Sequence, residues 1–405
     1  MLRFTTAGES HGQALVAVLE GMPAGLTLLA SHVNEQLSRR QQGYGRGRRM
    51  QIESDAVEFL AGVRAGETIG SPIAMMIRNR DWKNWEEIMD PAPRQGENPG
   101  DAGHKMRKRA VTRVRPGHAD LTGLLKYDRD DARDILERAS ARETTARVAV
   151  GAVCRRFLSE FGVSIGSHIV RLGDITANVP ERYPDDLNAA ADESPLRTLD
   201  ADAERRMIER IDKVKRDGNT LGGVAEVVAT GVCVGLGSHT SWDRKLDGRV
   251  GKAILSIPAV KGVEIGMGFG AAASTGAEVH DEIEPAPERI RTGGVHRRSN
   301  RAGGLEGGIT TGEPLVLRVA MKPISTLMRP LATVDVATGA RADATAERSD
   351  VTAVPAMGVI AEAMLAIVLA EAMLEKFGGD SLRETRHNYD GYLSHLADRL
   401  GARSE

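Results

Sequence analysis

Two histidines stand in glycine-rich surroundings where an imidazole can meet a substrate at close range. His11 lies in Gly8-Glu9-Ser10-His11-Gly12, and His118 lies in Arg115-Pro116-Gly117-His118-Ala119-Asp120. A reference pKa of about 6.5 suits either ring to proton transfer near neutrality. Asp120, two residues beyond His118, is placed to orient that ring. The plain alternative for each is a turn histidine without a role. A third candidate, Asp350, closes Arg348-Ser349-Asp350. It reads as a base beside an anion-binding arginine, or as an N-cap-like acid in front of a helix opening at Pro355, and the bare residues favour the cap.

Arginine and glycine mark the remaining chemistry. Arg39, Arg40, Arg46, Arg48 and Arg49 share one segment punctuated by Gly43, Gly45 and Gly47, which predicts a loop whose planar guanidinium forks bind an anion. A basic arm without a specific partner is the other reading. Arg138 and Arg142 flank Ser140-Ala141-Arg142-Glu143, the spacing of a capping box, so free N–H groups and a positive helix end join two cations there. Ser299 to Gly308 carries four glycines, a density that implies close backbone approach or strained turns. Lys322-Pro323-Ile324-Ser325-Thr326 follows an alternating strand. The chain has neither a G-x-G-x-x-G helix opening nor a P-loop. No metal site is expected, and His168, His239, His280 and His296 read as structural or surface residues.

Elements able to position these groups are legible. Ala14–Leu19, Val224–Val234 and the alternating stretch from Leu315 read as strands. Helices are expected from Ser140 to Phe161 with Gly162 as the stop, from Asp202 to Lys215 with Met207, Ile208, Ile211 and Val214 on one face, and from Pro355 to Phe377 with Gly378 as the cap. Segments 90–103 and 181–200, rich in Pro, Asp, Glu and Ala, are expected as surface insertions on one α+β domain spanning 1–405. Aromatics are only 3% of the chain, so the core must come from aliphatic side chains. Net charge is −2, which with so few aromatics argues against a nucleic-acid binder using the Arg39–Arg49 segment. Glu362 and Glu371 interrupt the longest apolar run, favouring a buried helix over a membrane span. Two unpaired cysteines and a start without a signal pattern fit a cytoplasmic protein.

Together these segments resemble the chorismate synthase family over most of the chain. The resemblance rests on Thr6-Ala7-Gly8-Glu9-Ser10-His11-Gly12, Arg115–Asp120, Glu137-Arg138-Ala139-Ser140-Ala141-Arg142-Glu143-Thr144, Gly303-Gly304-Leu305-Glu306-Gly307-Gly308-Ile309, Met321–Thr326 and Arg348-Ser349-Asp350-Val351, in family order. It implies a fold of β-α-β sandwich layers with an internal pseudo-repeat around a helical core, and a homotetramer. The implied reaction is the anti-1,4 elimination of phosphate from 5-enolpyruvylshikimate 3-phosphate, with reduced FMN required. A chain that keeps the flavin site but has lost catalysis is the alternative that an assay separates.

The same resemblance assigns residues. His11 would protonate the departing phosphate, His118 would sit by the reduced flavin, and Asp350 would act with the flavin in removing the ring proton. Arg40, Arg46, Arg115, Ser140, Arg142, Arg348 and Ser349 would bind substrate. Arg138, Ala139, Ser140, Ala259, Gly307, Lys322, Pro323, Ile324, Ser325, Thr326 and Arg348 would hold FMN. Arg40 and Arg46 are also linked to NADPH, the expected indirect reductant, and an external flavin reductase is the expected partner.

Overall fold

Strict alternation builds the first sheet. In Ala14–Glu20, Leu15, Ala17 and Leu19 are buried while their neighbours are half-buried, and Ile73, Met75 and Ile77 repeat the pattern. The computed structural model describes residues 1–46, 55–92, 110–345 and 350–401. Within it, β1 (Arg3–Ala7), β2 (Ala14–Glu20), β3 (Val57–Ala61) and β4 (Ile73–Arg78) form an antiparallel sheet in the order β1-β2-β4-β3. A second antiparallel sheet contains β5 (Ser164–Leu172), β6 (Ile175–Thr176), β7 (Gly223–Thr230), β8 (Val260–Ile265) and β9 (Leu315–Met321), in the order β8-β9-β7-β5-β6. The strand expected over Val224–Val234 ends early, because Gly231 turns the chain with φ 75°.

The principal helices are α1 (Ala30–Gln41), α2 (Asp120–Tyr127), α3 (Arg133–Leu136), α4 (Thr144–Ser159), α5 (Leu187–Asp192), α6 (Ala201–Arg216), α7 (Leu246–Leu255), α8 (Val354–Phe377) and α9 (Leu382–Gly401). Helix α4 packs on β2, α1 on β3, and α8 on β5, β7 and β9, while α4 and α8 pack on each other. The molecule is thus a mixed α+β fold in which helices pack between and beside antiparallel sheets. Apolar residues surround α8 on every side, so it must be enclosed. It is long and apolar enough to cross a membrane, yet 89% of its most apolar window is buried inside the fold. Close contact between α4 and α8 depends on Gly151, where a Cβ would lie 2.4 Å from Ala363 Cβ and 2.6 Å from Ala363 Cα.

One acid interrupts that apolar helix interior. Glu362 accepts from Arg39 Nη1 at 2.8 Å, Arg155 Nη1 at 2.8 Å, Arg197 Nη2 at 3.1 Å and Ser167 Oγ at 2.5 Å. Burial alone would push the Glu362 carboxyl up, but the three guanidinium groups override it and hold it at about 2. Asp192 pairs with Arg39 and Arg197 from the side. Segment 181–200 is therefore no surface insertion: α5 lies on β5, and Leu187, Ala191, Leu196 and Arg197 are buried. Its acids and amides serve the Glu362 cluster, which composition does not reveal. Of segment 90–103, residues 93–103 lie outside the described residues.

Candidate active site

Arg39 and Arg40 part company at the end of α1. The expected arginine loop begins as the last helical turn, and at about 100° per residue adjacent side chains leave in different directions. Arg39 turns inward to Glu362 and is not part of an anion site. Arg40 is 4% exposed and faces Asp55, donating from Nη2 to Oδ2 at 3.1 Å. Arg142 reaches the other oxygen of Asp55, also at 3.1 Å. Arg46, on the Gly43–Gly45 turn, pairs with Asp350 at 3.0 Å. Burial lowers Arg40 to about 10, Asp55 offsets part of that, and the nearby Arg46 and Arg142 charges push it down further. Three guanidinium groups therefore crowd around two carboxylates. Arg40 Nε is buried without a hydrogen-bond partner among the described residues, a donor left available to a ligand. Arg48 and Arg49 lie outside the described residues, as do Arg348 and Ser349.

The expected Ser140 cap takes a tighter form. Ala141–Glu143 is a 3₁₀ turn ahead of α4, and Ser140 Oγ accepts the Arg142 N–H at 3.3 Å. Glu143 pairs with Arg147. Ser140 Oγ also donates to Ser10 Oγ at 3.1 Å, which joins this turn to the residue before His11. Arg138 is exposed and donates to the carbonyls of Thr6 and Gly8, fixing the loop that carries His11. Asp350 is not the cap of α8, which starts at Val354 with Ala353 before it.

Each candidate imidazole rests on a carboxylate. His11 Nδ1 lies 2.9 and 3.0 Å from the two oxygens of Glu137. Its ring stacks on Trp85 with centroids 3.7 Å apart. His118 Nδ1 lies 2.5 Å from Asp120 Oδ1, while Arg115 donates to the same carboxylate from Nε at 2.8 Å and Nη2 at 3.1 Å. Burial opposes charge on Asp120, but hydrogen bonds from His118 and Arg115 hold its carboxyl well below the usual range. Sequence reasoning anticipated Asp120 and missed Asp55, Trp85 and Glu137. Glu137 was visible within its motif, but its partner is 126 positions away.

A line of hydrogen bonds relates the His118 group to Asp350. Arg115 Nη1 donates to Thr326 Oγ1 at 3.2 Å, and Thr220 Oγ1 to Ile324 O at 2.7 Å. Leu221 N–H then donates to Val351 O at 2.8 Å, and Val351 N–H to Gly45 O at 2.8 Å. Lys322 Nζ donates to Gly117 O, and Lys322 N–H to Ala259 O at 3.0 Å. Ala259 adopts φ 67°, a left-handed conformation that a non-glycine residue holds only under constraint. Pro323 is exposed and Ser325 half-buried in the irregular segment after β9, and Ala139 is half-buried beside Ser140. No direct contact joins His11 to His118 among the described residues. Gly307 lies in the turn of the short Leu305–Glu306/Ile309–Thr310 hairpin ahead of β9, with φ 59°.

Groups present here suit a phosphorylated, electron-rich cofactor beside an anionic substrate: cations at Lys322 and Arg138, hydroxyls at Ser140 and Thr326, and the unpartnered Arg40 Nε. Comparison with known proteins gives the family. A family model described as chorismate synthase matches residues 2–374. The chain is 55% identical over 399 residues to chorismate synthase of Geobacter metallireducens, covering 98% of this chain and 99% of that protein. It is 56% identical over 391 residues to chorismate synthase of Thermus thermophilus, covering 96% and 98%. A crystal structure of chorismate synthase superposes with a TM-score of 0.77 at 43% identity, covering 98% of each chain.

Proposed function

The chain belongs to the chorismate synthase family, and on that premise we propose a role for each group in the site. The enzyme converts 5-enolpyruvylshikimate 3-phosphate to chorismate in the shikimate pathway, a carbon–oxygen lyase reaction of aromatic amino-acid biosynthesis. Its family uses reduced FMN, which supplies an electron-rich ring to the elimination.

The substrate bears a phosphate and two carboxylates. Arg40, Arg46, Arg115 and Arg142, with Arg348 and Ser349, clamp these groups, and the Ser140 hydroxyl adds a donor. His11 gives its proton to the departing phosphate oxygen. Asp350, beside Arg46, takes the ring proton. His118 would stand beside the reduced cofactor, with Asp120 orienting its ring through Nδ1. The Arg138–Ser140 turn, Ala259, the Lys322–Thr326 segment and Arg348 hold FMN. Gly307 contributes to the same site, and the enzyme assembles as a homotetramer. NADPH acts indirectly, as the reductant of an external flavin reductase. The single domain spans 1–405, is built as sandwich layers with an internal pseudo-repeat around α4 and α8, and works in the cytoplasm.

One observation carries this reading: three guanidinium groups converge on Asp55 and Asp350, with a buried Arg40 donor left unused. Purified enzyme, the enolpyruvyl phosphate and chemically reduced FMN, mixed anaerobically, are expected to form chorismate, followed by absorbance. Equal turnover with oxidised FMN would overturn the cofactor assignment.

A further inference from the structure

His11 is fixed more completely than a loop residue needs to be. The loop around it is steadied by the Ser10 N–H on Glu137 O at 2.9 Å, the Gly12 N–H on Glu9 O at 3.2 Å and the Arg138 contacts. At His11 itself one buried carboxylate adds to these. Glu137, 2% exposed, accepts the His11 backbone N–H at 2.8 Å and faces His11 Nδ1 with both oxygens. Arg133 donates to the same group from Nη1 at 2.9 Å. On the ring face, Trp85 stacks at 3.7 Å with 27° between planes, and the Arg133 guanidinium lies 5.2 Å from the Trp85 centroid. Arg133 thus touches both supports of the imidazole.

We propose that Glu137 and Trp85 are positioning residues that hold His11 with Nδ1 protonated, leaving Nε2 as the atom that exchanges a proton with substrate. A carboxylate only accepts hydrogen bonds, so two of its oxygens facing Nδ1 require a proton there. The stack and the backbone bond remove rotation of the ring about its attachment. Nε2 is then the nitrogen left to act, and the proton on it can depart without disturbing the Glu137 contact. This logic parallels an oriented imidazole in a catalytic triad, in which a carboxylate fixes the tautomer and does not itself take the proton. The proposal rests on the reading of His11 as the acid.

The test is a cycle of Glu137→Gln, His11→Ala and the double variant, assayed anaerobically with reduced FMN. Glutamine replaces an acceptor oxygen with an NH₂ that faces donors from His11 and Arg133. Turnover should fall about a hundredfold, the low end of what a proton-transfer group contributes, with KM for the enolpyruvyl phosphate changed less than about twofold. The double variant should turn over no more slowly than His11→Ala, because Glu137 acts only through His11. Wild-type kcat in Glu137→Gln, or multiplied losses in the double variant, overturns the proposal. Wild-type kcat in His11→Ala instead removes the underlying assignment of His11. Should Glu137→Gln fail to fold, ¹⁵N-histidine NMR of the intact wild-type enzyme decides. A neutral His11 protonated only at Nε2 refutes the proposal, and a proton at Nδ1 supports it.

Discussion

Replacing Glu362 by glutamine tests whether the core and the site share one support. The substitution keeps the side chain's shape and removes its charge, leaving Asp192 as the ion-pair partner of Arg39 and Arg197 among the described residues, with Glu35 and Asp186 as further acids near Arg39. Breaking a buried ion cluster at one member costs about 3–5 kcal/mol. A second route gives a similar size. A carboxyl held from 4.5 down to about 2 contributes about 3 kcal/mol to folding, at 1.36 kcal/mol per pKa unit. Since the folded value is depressed, this contribution is complete above the unfolded value and is lost as pH falls from 4.5 toward 2. Denaturant unfolding at fixed protein concentration should therefore show Glu362→Gln less stable by about 3 kcal/mol at pH 7. The gap to wild type should narrow by about 1 kcal/mol at pH 3.5, because only the wild type then loses the Glu362 contribution. A loss below about 1 kcal/mol at pH 7, or a gap unchanged on acidification, would refute the claim that this carboxylate organises the three arginines.

Two further substitutions probe the scaffold and the pocket. Gly151→Ala places a Cβ 2.4 Å from Ala363 Cβ and 2.8 Å from Ala363 O, so α4 and α8 must separate, with an expected loss of about 1–3 kcal/mol in denaturant unfolding. An unchanged midpoint would show that the crossing yields freely. Arg142→Ala removes one of the two guanidinium groups on Asp55. Losing a charged hydrogen bond of about 2 kcal/mol should raise KM for the phosphorylated substrate about thirtyfold, and an unaltered KM in the anaerobic assay would remove Arg142 from the substrate clamp.

Local chemistry was legible in the sequence, and its destinations were not. The alternation of Ala14–Leu19 and the apolar run after Pro355 fixed a strand and a buried helix, because each depends on neighbours in the chain. The arginine segment suggested an anion site, and the structure pairs Arg40 with Asp55 and Arg46 with Asp350. Arg39 instead turns inward, since its fate depends on Glu362, which lies 323 positions away. The acidic, alanine-rich stretch near Asp192 looked like surface for the same reason: its polar residues meet buried arginines from α1 and from the 193–200 segment, and composition does not encode partners. Asp350 looked like a helix cap because only three residues separate it from α8, yet its carboxylate turns to Arg46.

Adjacent arginines at the end of α1 explain how the fold holds a cluster of like charges in place. Guanidinium groups on a free loop would repel and would have to be ordered by the substrate, at about 2 kcal/mol of rotamer entropy for each side chain. Here Arg39 ties the last turn of α1 to α8, so that Arg40 is held at the site by its neighbour's contacts in the core. Arg142 likewise hangs from the 3₁₀ turn that opens α4, whose other face is locked on α8 through Gly151. Asp55 and Asp350 then offset part of the charge and help to keep the three groups together. The helices that enclose the core thereby set the separation of the cations, and binding energy that would otherwise order side chains is available to the elimination itself.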